Sequence, residues 1–240
     1  MERALAREPD LAEAHAHMGW IQMNYDWDSR GAQVSYSRAL ELAPGNAIAL
    51  RRAGVLAWRL GRVDEALGLT RRALEHDPLS AHAYSNLGEF FQDVGRLAES
   101  EAALRRALEL APQKAEVHAY LSLTLLDQGR GEEALIEVMR EEEEGSRLWA
   151  LAIVRHAMGH GSESDAALRE LVEKRADTMA FQVAEAYGRR GETNAAFEWL
   201  ERAHSQRDGG LTEMKTNPHL RSLHGDPRWG AFLRKMGFEE

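Results

Sequence analysis

The side chains best suited to metal or acid–base chemistry in this chain are its ten histidines. The closest pairs are His15 with His17 and His156 with His160. Only the second pair has the i, i+4 spacing that places two side chains on one face of a helix, and Gly159 is expected to end that helix between them. A convincing metal site needs at least three converging ligands, and the chain contains no cysteine. The sequence therefore predicts no metal site and no cofactor.

Groups for covalent or acid–base catalysis are not clustered either. No acid, base and nucleophile occur together at a recognisable spacing, and a thiolate nucleophile is excluded because cysteine is absent. The glycines of Gly159-His160-Gly161 do not form a phosphate-binding loop, because no lysine follows and no strand is predicted before them. We therefore predict that the protein is not an enzyme and has no catalytic residues.

The overall charge limits the classes of partner. The net charge is −9 and the pI is about 5.6, so the surface repels the phosphate backbone of nucleic acids. No apolar run approaches the ~18–20 residues of a membrane span, and the first residues lack the pattern of a signal peptide. The sequence predicts a cytoplasmic protein that binds neither nucleic acid nor membranes.

The elements that position these side chains are expected to be helices in a repeating array. Helix-forming residues dominate and only six prolines occur. Pro9, Pro44, Pro78 and Pro112 follow one another at steps of 35, 34 and 34 residues, and each comes after a segment ending Arg-Ala-Leu or a close variant. This regular step predicts an internal repeat of about 34 residues.

A glycine-centred turn recurs at the same step. Gly61-Arg62, Gly95-Arg96 and Gly129-Arg130 each precede the second helix of a repeat. Each repeat is therefore a helix, a tight turn, a second helix and a proline-marked stop, which is a helical hairpin. The step from Gly129 to Gly159 is only 30 residues, so a shortened junction is expected there, with the acidic run Glu141–Glu144 as a solvated kink.

These motifs resemble the tetratricopeptide repeat (TPR) family. The third repeat matches best, with Tyr84, Leu87, Gly88, Phe91, Leu104, Ala107 and Pro112 in register. The resemblance implies an all-α fold, a right-handed TPR superhelix (α-solenoid) of about six helical hairpins with a C-terminal helical cap. We place the hairpins at 12–46, 47–80, 81–114, 115–144, 145–176 and 177–208. Residues 1–11 are expected to be the closing helix of a truncated repeat or an N-terminal cap, and residues 209–240 a C-terminal capping segment.

The C-terminal segment carries its own helix signal. Asp226-Pro227 is a typical helix start, and Trp229, Phe232, Leu233 and Met236 form an apolar stripe that requires burial. This segment, together with Tyr25-Asp26-Trp27-Asp28, is similar to bacterial TPR modules attached to winged-helix transcription regulators, nucleotide cyclases or protein kinases. That similarity implies the ligand-sensing or partner-docking half of a signalling protein.

In the TPR family the first helices line a concave groove, and carrying its positions over to this chain gives the candidate partner-binding residues. They are Trp20, Met23, Arg51, Val55, Trp58, Arg59, His82, Asn86, Glu89, Leu123, Leu126 and Trp149. An exposed stripe that included Trp20, Trp58 and Leu123 would require a cover. One alternative is a segment of a partner protein, and the other is the chain's own tail or tight superhelical packing.

Two functions follow from this reading. The first is a protein–protein interaction scaffold that binds a peptide or protein segment in the groove. The alternative is a regulatory or self-association domain of a larger signalling protein, for which a homodimer is one expectation.

Overall fold

The computed structural model describes residues 10–238, and within this range every regular element is a helix. Most of the segment 1–11, including the predicted closing helix, lies outside the described residues. The helices are α1 Ala12–Ile21, α2 Ser29–Leu42, α3 Ala47–Arg59, α4 Val63–His76, α5 Ala81–Asp93, α6 Leu97–Leu110, α7 Val117–Asp127, α8 Gly131–Val138, α9 Glu144–Ala157, α10 Gly161–Arg175, α11 Ala180–Arg189, α12 Thr193–Gln206 and α13 Pro227–Lys235. Shorter pieces are a π-helical turn at Gln22–Asp26 and two 3-10 turns at Gly209–Glu213 and Pro218–Leu223.

Helices α1 to α12 pack in consecutive pairs, and each pair is a hairpin closed by a short turn. In the second to sixth hairpins the turn contains a glycine with φ between 75° and 81°. These glycines are Gly61, Gly95, Gly129, Gly159 and Gly191. A residue with a Cβ is strained in this left-handed conformation, so the glycine allows the chain to reverse within a few residues.

Small residues inside each hairpin allow its two helices to approach closely. A Cβ added at Gly19 in α1 would lie 2.8 Å from the Tyr36 ring in α2, and one added at Gly54 in α3 would lie 2.6 Å from the Thr70 hydroxyl in α4. In the third hairpin, the Ser100 hydroxyl donates to the carbonyl of Gly88 at 2.7 Å. The two helices of a hairpin are therefore joined along a narrow line of small side chains.

The shortened junction lies between the fourth and fifth hairpins. Its acidic run was expected to be a solvated kink, but Glu141 in this run is buried. Glu141 is 3% exposed and accepts from the backbone N–H of Ala119 at 3.3 Å. Glu143 caps α9 by accepting from the backbone N–H of Ser146 at 2.6 Å. The acids therefore precede a helix N-terminus, where the helix dipole favours negative charge.

The C-terminal segment closes the last hairpin. Asp226 caps α13 by accepting from the backbone N–H of Arg228 at 2.9 Å, and Pro227 is the first helical residue, as this pair of residues predicts. Trp229 and Phe232 are buried at 7% and 3% exposure in an apolar cluster that also contains Phe197 of α12. The exposed side of the last hairpin is thereby covered, as a terminal repeat requires.

Candidate partner-binding groove

The first helices of successive hairpins lie side by side and form one continuous inner surface of the array. Near the C-terminal ends of these helices, polar side chains join neighbouring hairpins across a constant separation of 35 residues. The bonds are Arg59 Nη1 to Asn24 Oδ1 at 2.9 Å, Trp58 Nε1 to Asp93 Oδ2 at 2.5 Å and Gln92 Nε2 to Asp127 Oδ2 at 3.2 Å. Because one bond occurs per step, the bonds fix the position of each hairpin against the next.

The C-terminal segment crosses this inner surface. Glu213 forms an ion pair with Arg59 at 2.8 Å, although 154 residues separate them, and Asn217 Nδ2 donates to Glu185 Oε1 at 2.5 Å. Arg221 donates to the backbone carbonyl of Asp93. The apolar side chains of the same segment are fully buried, namely Leu211, Met214, Leu220 and Leu223. The chain itself therefore covers this part of its groove.

An aromatic contact anchors the segment against the fifth hairpin. The ring of His219 meets the indole of Trp149 edge-on at 5.6 Å between centroids, and Tyr120 contacts the same indole at 5.6 Å. Burial, followed by the nearby Arg189 and Arg221, lowers the pKa of His219 to about 3. The His219 imidazole is therefore neutral at physiological pH and acts as an aromatic packing group.

The first and last hairpins also touch, at a contact that we call the seam, formed by residues 25–27 and 204–207. The Arg207 guanidinium lies 5.0 Å from the centre of the Trp27 indole ring and donates to the carbonyl of Tyr25 at 3.3 Å. The rings of Trp27 and His204 are 5.7 Å apart. The array is thus closed by contacts between its two ends.

The structure divides the candidate residues into two groups. Those buried by the chain itself are Met23, Val55, Trp58, Arg59, Leu123 and Trp149. Those with partial or full exposure are Trp20, Arg51, His82, Asn86, Glu89 and Leu126. The chain itself therefore covers part of the apolar stripe, including Trp58 and Leu123, whereas Trp20 is partly exposed. Trp58, for example, stacks on Phe90 at 5.1 Å between ring centroids.

The uncovered part of the inner surface is polar. It contains Arg51 of α3, His82 and Glu89 of α5, and Glu116, which precedes α7. Burial, with the nearby charges of Glu213 and Glu116, raises the pKa of Glu89 to about 8, and its carboxylate accepts from the Ser85 hydroxyl at 3.2 Å. Burial, with the cations Lys114 and Arg51, lowers the pKa of His82.

Residues of the C-terminal segment that contact the groove were not among the candidates. Glu213, Asn217 and His219 follow no repeat pattern, so no position in the hairpin motif assigns them to the inner surface. The only sequence signal was the length of apolar chain after Gly210, which requires a surface to pack on.

Across residues 10–238, no group of three or more His, Cys, Asp or Glu side chains is arranged to hold a metal ion. Among the helices described, none is long and apolar enough to cross a membrane.

Stacked helical hairpins with a continuous inner surface define an α-solenoid. Comparison with known protein families identifies the type of repeat. The tetratricopeptide-repeat family model matches residues 28–81 and 88–147. Residues 28–81 and 88–147 are therefore tetratricopeptide repeats. The family provides scaffolds for protein interaction and is typically non-enzymatic. No curated protein sequence matches the chain.

Several solved structures share this fold. A thermophilic TPR protein of Thermus thermophilus is 18% identical with a TM-score of 0.63, over 80% of this chain and 99% of that one. PilW, a type IV pilus biogenesis factor, is 20% identical with a TM-score of 0.63, over 89% and 98% of the two chains. PilF of Pseudomonas aeruginosa is 19% identical with a TM-score of 0.60, over 96% and 99%. At these identities the likeness concerns the fold.

Proposed function

We propose that this protein is an interaction scaffold that binds a segment of a partner protein on the uncovered part of its inner surface. The observation that supports this site is the pair Glu89 and Glu116, neither of which makes an ion pair within residues 10–238. Burial, followed by the charges of Glu213 and Glu116, raises the pKa of Glu89 to about 8, and Lys114 opposes this shift. A partner lysine or arginine beside Glu89 would favour its ionised form and pair with it.

The surrounding side chains suit an extended polypeptide. Asn86 and Tyr120 are partly exposed beside the two acids and offer an amide and a hydroxyl for main-chain hydrogen bonds. Trp20 and Leu126 are partly exposed as well and offer apolar contact at either side. The remaining candidates, including Trp58 and Leu123, support the walls of the groove from beneath instead of touching a partner.

Self-association of the array, with a homodimer as its product, is less well supported by the contacts. The side of the last hairpin on which another copy would stack is covered by α13, whose Trp229 is 7% exposed. The role as half of a transcription regulator, cyclase or kinase stays a prediction that rests on the similarity of residues 25–28 and the tail.

A peptide-display selection tests the proposed function. The full chain is immobilised, random peptides are selected against it, and the enriched peptides are synthesised and titrated by fluorescence anisotropy. We expect enrichment of lysine or arginine, and binding at least about tenfold weaker to the variant Glu89→Gln/Glu116→Gln, because a charge-assisted contact is lost.

The matched control is Glu132→Gln, which removes one exposed acid from α8. It should bind the selected peptides like the wild type. Selected peptides that bind the double variant and the wild type equally would place their site elsewhere, and the proposed function at this groove would be wrong.

A further inference from the structure

The N-terminal ends of three neighbouring first helices carry basic side chains on the inner surface. Arg51 lies near the start of α3, His82 lies in the first turn of α5, and Lys114 lies just before α7. Helix α5 contacts both α3 and α7. After burial, the charges of Lys114 and Arg51 are the causes that lower the pKa of His82, so the three side chains lie near one another. We call Arg51, His82 and Lys114 the basic edge.

No acid of the described chain pairs with the basic edge. Within residues 10–238, its three side chains form no ion pair and no hydrogen bond, and all three residues are partly or fully exposed, so a partner can reach them. Burial, followed by the charge of Arg52, lowers the pKa of Arg51. The opposite effects of Tyr36 and Glu89 are smaller. The charge of Arg51 is therefore incompletely compensated within the chain, and a carboxylate of a partner would stabilise it.

The acid of the proposed site lies on the same helix as the basic edge. His82 and Glu89 are both in α5, and residues seven positions apart in a helix share one face. The helical rise of 1.5 Å per residue places them about 10 Å apart along the axis. Beyond Glu89, the C-terminal segment covers the end of α5, where Arg221 donates to the carbonyl of Asp93. The uncovered part of α5 therefore has a basic end and an acidic end.

The distance between these two ends fits an extended partner. A segment in the polyproline II conformation rises about 3.1 Å per residue and has three residues per turn. Its side chains i and i+3 therefore lie on the same side, about 9 Å apart. A segment that lies along α5 can thus place one side chain at the basic edge and the third side chain after it at Glu89.

We propose that the partner segment carries an acidic residue and a basic residue about three positions apart, in either order. The acidic side chain lies among Arg51, His82 and Lys114, and the basic side chain lies beside Glu89. This inference rests on the proposed function, because it assumes that the segment binds on the uncovered inner surface. It adds a second charge to the partner and fixes the distance between the two charges.

The positive charge of the basic edge comes from Arg51 and Lys114. The lowered pKa of His82 makes its imidazole neutral near pH 7, so His82 contributes an N–H donor to the partner carboxylate. The variant that tests the site is therefore Arg51→Gln/Lys114→Gln. Neither cation has an ion-pair partner within residues 10–238, so this variant leaves no acid of the described chain without a cation.

Synthetic peptides with acetylated and amidated ends test the two charges without terminal charges. The probes share one flanking sequence and differ in their cores, which are Glu-Pro-Pro-Lys, Gln-Pro-Pro-Lys and Glu-Pro-Pro-Gln. Binding to the full chain is measured by NMR titration, and shifts of the amide resonances of residues 82–89 locate the site. We expect Glu-Pro-Pro-Lys to bind at least about fivefold more tightly than either singly charged peptide.

The protein variants assign each peptide charge to its partner. In Arg51→Gln/Lys114→Gln, the advantage of Glu-Pro-Pro-Lys over Gln-Pro-Pro-Lys should disappear. In Glu89→Gln, its advantage over Glu-Pro-Pro-Gln should disappear. The control Arg72→Gln removes an exposed cation from α4, a second helix, and should bind all peptides like the wild type. Circular dichroism verifies that each variant is folded.

The spacing has its own test. Glu-Pro-Lys and Glu-Pro-Pro-Pro-Lys place the two charges on different sides of the polyproline II helix, so both should bind at least about fivefold more weakly than Glu-Pro-Pro-Lys. Equal binding of the three spacings would overturn the inference.

Three other results would also overturn the inference. One is that Glu-Pro-Pro-Lys binds no better than the singly charged peptides. Another is that the glutamate advantage persists in Arg51→Gln/Lys114→Gln while the lysine advantage is lost in Glu89→Gln, which would leave the proposed function intact. The third is that no peptide shifts the resonances of residues 82–89, whereas the proposed function itself is decided by the display selection.

Discussion

Arg207, which follows the last hairpin, stacks on Trp27 of the first hairpin, with the guanidinium carbon 5.0 Å from the centre of the indole ring. Both residues have a left-handed backbone, with φ of 55° and 58°, although neither is glycine. Such a conformation costs about 1 kcal/mol or more and persists where the surrounding contacts impose it. The seam is therefore a specific contact that ties the first hairpin to the last.

The seam should contribute measurably to stability. Trp27→Ala removes a large, partly buried side chain and its contacts with Arg207 and His204, so we expect the free energy of unfolding to fall by about 2 kcal/mol or more. Urea denaturation followed by circular dichroism measures it. Tyr25→Ala is the control, because that side chain is 69% exposed and only its carbonyl takes part in the seam. Equal free energies of unfolding for the two variants would show that the seam does not stabilise the fold.

The ion pair between Arg59 and Glu213 should couple the C-terminal segment to the second hairpin. Arg59 is almost fully buried, so Arg59→Met leaves Glu213 without its cation, and we expect a loss of about 1–3 kcal/mol. Arg59→Met/Glu213→Gln should recover part of that loss. A double-mutant cycle in urea gives the coupling energy, and strictly additive single losses would mean that the pair is not formed.

The close approach of the C-terminal segment to α11 can be tested at Gly188. A Cβ there would lie 2.8 Å from the backbone oxygen of His219, so Gly188→Ala should displace the segment and cost about 1–3 kcal/mol. Gly68→Ala is the matched control, since nothing lies within 4 Å of its added Cβ, and it should stabilise α4 by up to about 1 kcal/mol. Thermal unfolding compares the two, and a neutral Gly188→Ala would argue against the packed tail.

The free energy of unfolding should depend on pH through the ionisation of Glu89. Its pKa rises on folding from the ordinary 4.5 to about 8, so the folded protein binds the proton more tightly than the unfolded chain. Stability due to this group is therefore fully present below pH 4.5 and is lost as the pH rises through 8. Relative to wild type, Glu89→Gln should gain stability between these values. Denaturation at pH 5 and 8.5 measures it, and a gain that is equal at both pH values contradicts the raised pKa.

Local sequence signals were sufficient to predict the hairpins. Gly95 and Gly129 mark turns because only glycine adopts their backbone without strain, and Asp226-Pro227 starts α13 because the cap and the proline act within one helical turn. The packing of Gly54 against α4 follows from the same repeat. These features depend on residues a few positions apart or on a regular 34-residue step, and both patterns can be recognised in a single sequence.

Local sequence signals were not sufficient to predict which residues of the groove are exposed. The repeat positions predicted Trp58 and Leu123 as partner-binding residues of the inner surface, but both side chains are buried, because their exposure depends on the residues packed above and beside them. Glu213 and His219 have no repeat partner, so no spacing connects them with Arg59 or Trp149. The acidic run at Glu141 illustrates the same limit, because its burial depends on the backbone of Ala119 in another helix.

The sequence by itself determined that this chain folds as consecutive helical hairpins that must stack, because each hairpin has apolar faces that it cannot bury alone. Only the tertiary structure decided that the C-terminal segment covers part of the inner surface and that Trp27 meets Arg207. The reason is physical, since helix and turn formation depend on neighbours along the chain, whereas closure depends on how small rotations between hairpins accumulate over the whole array.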